Sequence, residues 1–248
     1  MANDILERGD IYFVYRPRVE QEQAHAIEDV QRLFMILQPS DSDRSRRLVI
    51  GRKYLPQPAE HERFWGFVDE VATRPEPVAE DLQRRTYDTR TRGKRTQPEA
   101  RPAGEGRYAI VRHGGHTHLT YELEMPAKPG AVQKELAIEP EASYILAVKN
   151  PRAGAPAGVG PPPPQRADLP SRDQDRFEGR RFTSAEPELL DQEGTEFVLI
   201  GAAHDVEREL DVQLDTEVES PESAEIFRRL HMPREKHPVE PLTKGEWR

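Results

Sequence analysis

RYAIVRHGGHTHLTYELEMP, residues Arg107 to Pro126, is the stretch on which the reading of this chain turns. Two runs rich in β-branched and aromatic residues flank Gly114-Gly115. A two-residue glycine connection between such runs is a tight hairpin turn, because its central positions need φ > 0. The turn fixes the register. His113 pairs with His116, Val111 with His118, Ala109 with Thr120 and Arg107 with Glu122 on one face. Arg112 pairs with Thr117, Ile110 with Leu119 and Tyr108 with Tyr121 on the other, with Leu123 beyond them. Tyr108, Ile110, Leu119 and Tyr121 form the core side; the histidines gather on the opposite side.

Working outward, similar strand signals recur. Ile11–Tyr15 is apolar on both faces and β-branched or aromatic throughout, as a central strand should be. Arg32–Leu37, Arg47–Ile50, Ser143–Lys149 and Glu196–Gly201 read as further strands. Phe64–Val68 leans the same way, although apolar spacings of three and four admit a helix. Val132–Ile138 also reads as a strand. Helices are expected over Pro75–Arg85, after His204 through Val206 and Leu210, and from Ser220, with Ser220 as N-cap and Pro221 in the first turn. The expected class is mainly β, an antiparallel barrel or sandwich of roughly eight to ten strands with two or three short helices.

The organisation follows composition. Residues 1–150 hold most strands and form a β-rich core domain. Residues 151–180 contain PRAGAPAGVGPPPP, a polyproline-like linker or surface excursion. Residues 181–232 add a strand and a C-terminal helix packing on that core, and 233–248 read as a proline-punctuated tail.

Composition also excludes. The 248 residues contain no cysteine, which rules out disulfides, a thiolate nucleophile and a thiolate-ligated metal. Net charge is −9, so nucleic acid can be drawn only by a local patch. No apolar run approaches the ~18 residues of a membrane span, and the amino terminus lacks a signal-type apolar region. A cytoplasmic protein with no membrane partner is expected. G-x-S-x-G is absent, and no Ser-His-Asp arrangement can be argued.

Two stretches carry candidate chemistry. His113, His116 and His118, three of the eight histidines within six residues, share the outer face with Glu122. Imidazoles and a carboxylate suit a divalent ion such as Zn, Fe, Mn or Ni. The same residues equally suit a solvated hairpin end, or a metal-free acid–base role at a histidine's near-neutral pKa. The second stretch, Arg84 to Arg107, is the most basic window. Arg84, Arg85, Arg90, Arg92, Lys94 and Arg95 there could meet phosphate or nucleic acid. It reads as a polar loop with Tyr87 as its one stacking residue.

Three resemblances accompany these residues. H-x-H-x3-E at His116, His118 and Glu122 resembles the first metal motif of the cupins, double-sheet jelly-roll barrels, and implies metal ligation there; the flanking glycines and a second motif do not match. Arg8-Gly9-Asp10-Ile11, followed by an apolar strand, resembles the start of the MazF-like endoribonuclease toxins, small SH3-like barrels, although the chain is about twice their length. ERGDIYFVYRPRV, RPAGEGRYAIVRH, HTHL and VKNP together resemble an uncharacterised bacterial protein family with no assigned activity. The functional expectation is a non-enzymatic binding or interaction protein. The alternatives are a cupin-like metal-dependent enzyme using the histidine hairpin, and an RNA- or nucleotide-binding β-barrel using the basic stretch.

Overall fold

The computed structural model describes residues 3–154, 166–217, 220 and 223–248. Its strands are β1 (Asp4–Pro17), β2 (Val30–Pro39), β3 (Ser45–Ile50), β4 (Arg63–Ala72), β5 (Arg85–Thr89), β6 (Gly93–Gln97), β7 (Arg101–His113), β8 (His116–Met125), β9 (Glu141–Lys149), β10 (Phe182–Ser184) and β11 (Glu196–Ala203). The short helices are α1 (Pro75–Glu80), α2 (Ala131–Leu136), α3 (Ser171–Asp175), α4 (Val206–Leu210), α5 (Glu225–Arg229) and α6 (Glu240–Thr243).

Eight strands close into an antiparallel barrel in the order β1-β2-β3-β4-β11-β9-β8-β7, the circle completed by β7 against β1. β10 adds a short edge to β9, while β5 and β6 form a two-stranded sheet of their own. β11 lies between β4 and β9. The chain beyond the proline-rich stretch therefore supplies a stave of the barrel.

An eight-stranded barrel has a lumen just wide enough for side chains to fill, and here they fill it. Ile11, Phe13, Met35, Ile110, Leu119 and Phe197 are fully buried in one cluster. Phe13 meets Tyr121 edge-on at 4.9 Å, and Tyr121 stacks on Tyr144 at 6.3 Å. One end of this cluster carries charge. Arg46 forms a fork with Glu7 at 2.6 and 2.9 Å and reaches Asp191 at 2.6 Å. The Tyr108 hydroxyl donates to Glu7 at 2.7 Å. Such a buried guanidinium is tolerable because its charge is matched and its donors are used.

The outer wall is covered in two places. Tyr12, Val14, Phe34 and Ile36 pack beneath Ile226, Phe227, Leu230 and Leu242. Ala109 and Val111 pack beneath Leu210, Val212 and Leu214. Burial on both faces explains why Ile11–Tyr15 is apolar without alternation.

Several expectations change. The stretch Val132–Ile138 is not a strand: its first residues belong to the helix α2, Ala131–Leu136. Val132 and Leu136 are four residues apart and both buried, and Gln133 between them donates from its side-chain amide to Ala103 O and Pro241 O. The helix expected from Ser220 is the short α5, starting at Glu225, with Ser220 hydrogen-bonded to Ser223 before it rather than capping it. Pro221 lies outside the described residues, as does Pro161–Pro164. Immediately after that stretch Leu169 and Phe177 are buried in the main core. Residues 233–248 carry α6 and set Trp247 edge-on against Tyr15 at 5.3 Å. Among the described residues no helix is long and apolar enough to cross a membrane.

Candidate functional site

The hairpin register is the one the sequence dictates: His113↔His116, Val111↔His118, Ala109↔Thr120 and Arg107↔Glu122. Gly114 and Gly115 have φ of 55° and 87°, so the turn needs residues without a Cβ penalty. The histidine face points outward, and the segment after β11 straps across part of it.

His118 is 4% exposed. Its Nδ1 lies 3.1 Å from Ser143 Oγ on the neighbouring β9 and 3.9 Å from Glu209 Oε1 on α4. His113 meets His118 edge-on at 5.9 Å, and its own Nδ1 is 2.6 Å from Asn3 Oδ1. Asn3 in turn donates to the Leu210 carbonyl, linking the hairpin to the strap. Burial, and then the nearby His113 and His116, push the His118 imidazole down to about 4. It is a neutral ring inside a polar clasp. His116 remains exposed at the turn.

Glu122 shares the face but not the place. Four residues along a strand is ~13 Å, and six is ~20 Å, too far for Glu122 to join His118 or His116 around one ion. Glu122 instead accepts from Thr216 Oγ1 at 3.5 Å. Its carboxyl is raised by burial and then by the charge of Glu141. Among the described residues no three His, Cys, Asp or Glu side chains are placed to hold a metal. Position on a common face does not produce convergence on a straight strand.

The basic stretch differs from its expectation in form. Residues 85–97 are not a loop but the ribbon β5–β6, paired Arg85↔Gln97, Tyr87↔Arg95 and Asp88↔Lys94. Thr86, Tyr87, Thr89 and Thr96 favour the extended backbone, and Gly93, with φ 65°, follows the turn. Its base is tied to the loop after β1: Glu20 N–H donates to Thr96 O at 2.8 Å, and Gln97 Nε2 to Pro17 O at 2.8 Å.

The six basic residues separate into two groups. Arg84 forms a fork with Glu22 and reaches Glu99 at 3.4 Å. That contact holds the Glu22 carboxyl below its ordinary value, against the opposing effect of burial. Arg85 pairs with Asp81 at 2.9 Å. Arg90, Arg92, Lys94 and Arg95 make no ion pair among the described residues, and the first three are exposed. Tyr87 lies directly opposite Arg95 and is one of two large apolar side chains exposed on the molecule's described surface.

Sequence reasoning found the histidines and the cations but missed Asn3, Ser143 and Glu209 around His118. Ser143 was reachable only through the β8–β9 register, and Glu209 lies 91 positions after His118 in the chain. Compared with protein-family models, with curated proteins and with solved structures, the chain matches none. The class is therefore defined by architecture alone: a closed eight-stranded antiparallel barrel carrying an external basic β-ribbon.

Proposed function

We propose that the chain is a binding protein, not an enzyme, and that the β5–β6 ribbon grips the phosphate backbone of nucleic acid. The observation that carries this reading is the set Arg90, Arg92, Lys94 and Arg95, which make no ion pair among the described residues of a chain of net charge −9. Against a single carboxylate on the ribbon's strands, Asp88 opposite Lys94, four cations form a local electropositive site. A two-stranded ribbon has the width of a duplex major groove, and phosphate contacts fix its register there. Tyr87 beside Arg95 adds one face on which a base can stack. The barrel and the loop after β1 are the scaffold that holds the ribbon's base.

Fluorescence anisotropy with labelled duplex DNA, duplex RNA and single strands tests this. Four phosphate contacts give a log K against log salt slope of roughly −3 to −4 on duplex DNA. Replacing Arg90, Arg92, Lys94 and Arg95 together by alanine brings the slope towards zero with the fold intact. Absence of binding at low salt, an unchanged slope in the variant, or binding only to acidic proteins or anionic vesicles overturns the reading.

A further inference from the structure

The barrel mouth beneath the carboxy-terminal residues contains a charged group for which the fold supplies too few partners. Arg101, the first residue of β7, is 1% exposed and lies directly opposite Tyr15 of β1. Tyr15 belongs to the luminal core, so both side chains share the inner side of the sheet. Arg101 spends one N–H group, on Nη2, donating to the Glu22 carbonyl. Its Nε and Nη1 are buried and have no hydrogen-bond partner among the described residues. The Tyr15 hydroxyl is likewise buried and completes no hydrogen bond, although the Arg248 backbone lies beside it.

This differs from Arg46 and Arg47; Arg16, also buried, has no ion pair among the described residues but donates to Asp81 O and lies over the Phe34 ring at 6.0 Å. Arg46 has Glu7 and Asp191 within 2.6 Å. Arg47 has Asp69 at 2.6 Å and Glu70 at 3.0 Å. No carboxylate lies within ion-pair distance of Arg101 among the described residues. Glu99 and Glu22 act on it only at longer range, and both are engaged by Arg84. An uncompensated guanidinium in a water-excluded place costs several kcal/mol. Buried donors left without protein partners call for an ion or an ordered water to complete them.

We propose that Arg101 and Tyr15 form a binding site for one small monovalent anion, chloride or a carboxylate of formate size. The donor set defines the class. One guanidinium balances one negative charge, and two guanidinium N–H groups with one phenol O–H can satisfy a spherical or two-oxygen anion. A phosphate dianion would remain half-neutralised. Size is limited by the cover: Trp247 packs edge-on over Tyr15 at 5.3 Å, its indole N–H donates to Glu135 at 3.1 Å, and Ala24 N–H donates to Arg248 O at 2.9 Å. The site is separate from the exposed cations of the ribbon. It adjoins the ribbon's base through Glu22, which contacts both Arg101 and Arg84.

Urea unfolding of the full chain at constant ionic strength tests this, with chloride or formate exchanged for bulky gluconate. The expected result is a midpoint that rises with the logarithm of chloride or formate concentration, as for any ligand held only by the folded state. Whichever anion acts at the lower concentration is the better ligand. Arg101→Met removes the dependence, whereas Arg92→Ala on the ribbon keeps it. A midpoint indifferent to the anion, as bridging water alone would give, overturns the proposal, as does a dependence retained in Arg101→Met. Should that variant fail to fold, chloride NMR on the wild type decides: line broadening relieved by formate supports the site, and lines identical to buffer overturn it.

Discussion

The β7–β8 hairpin and the β5–β6 ribbon are built alike, each two antiparallel strands with a positive-φ glycine in or next to the turn. They end in opposite states. The hairpin is a pair of barrel staves whose outer face is mostly covered: His118 meets Ser143 and Glu209, His113 meets Asn3, and the apolar Ala109 and Val111 lie under the strap, while His116 stays exposed at the turn. Among the described residues the ribbon pairs with no other strand, and Arg90, Arg92, Lys94 and Arg95 make no ion pair. Residues conspicuous in sequence can thus be consumed by packing, whereas plain arginines become the available chemistry because nothing covers them. Availability to a partner depends on what else the fold places nearby.

Loosening the strap should produce the largest effect. Leu210 is fully buried over Ala109 and Val111, and Leu210→Ala should cost about 2–5 kcal/mol of stability in urea unfolding. The same variant should let the His118 imidazole titrate closer to 6.5, followed by NMR. A stable variant with unchanged titration would show that the strap is not what closes the clasp.

Acid comes next. The folded His118 protonates near about 4, against 6.5 for an unperturbed histidine. The unfolded chain therefore binds more protons between those values. The contribution is complete above pH 6.5 and is lost as pH falls towards 4, by about 3 kcal/mol in all. His113, His116 and Glu209 face the same ring. His118→Gln should flatten the stability–pH slope across that window, and an equal slope in both proteins would remove the clasp from the acid response.

On the ribbon the pattern reverses. Tyr87→Ala should leave stability within about 0.5 kcal/mol, as at an ordinary exposed position. It should weaken binding to single-stranded nucleic acid by about 1–3 kcal/mol. A stability loss larger than the binding loss would make Tyr87 a packing residue instead. The smallest effect is expected at the hairpin turn, where Gly115→Ala at φ 87° should cost about 1–2 kcal/mol, read as a shift in the thermal midpoint.

Much of this was legible in the sequence. Gly114-Gly115 and a period of two were enough to set seven residue pairs of β7–β8 and to identify Tyr108, Ile110, Leu119 and Tyr121 as core. Less was legible where polar residues hide their extended backbone, as in Thr86–Thr96, or where a short apolar run fits two periods. Val132 and Leu136 suit a strand as text; the buried amide of Gln133 makes them a helix turn. The pattern His116, His118 and Glu122 specifies a face and not a convergence point: the rise of the strand spreads that face over ~20 Å.

Local rules therefore determined the class, most strands and the hairpin register, because turn geometry and side-chain alternation act between residues near in sequence. Tertiary structure decided which of those residues remain accessible. Glu209 and Leu210 reach His118 and Val111 from about a hundred positions away, β11 closes the barrel across the proline-rich stretch, and Arg101 loses its solvent to Trp247 and the residues around Glu22. Burial and charge compensation are sums over neighbours in space, and the order of residues along the chain does not contain them.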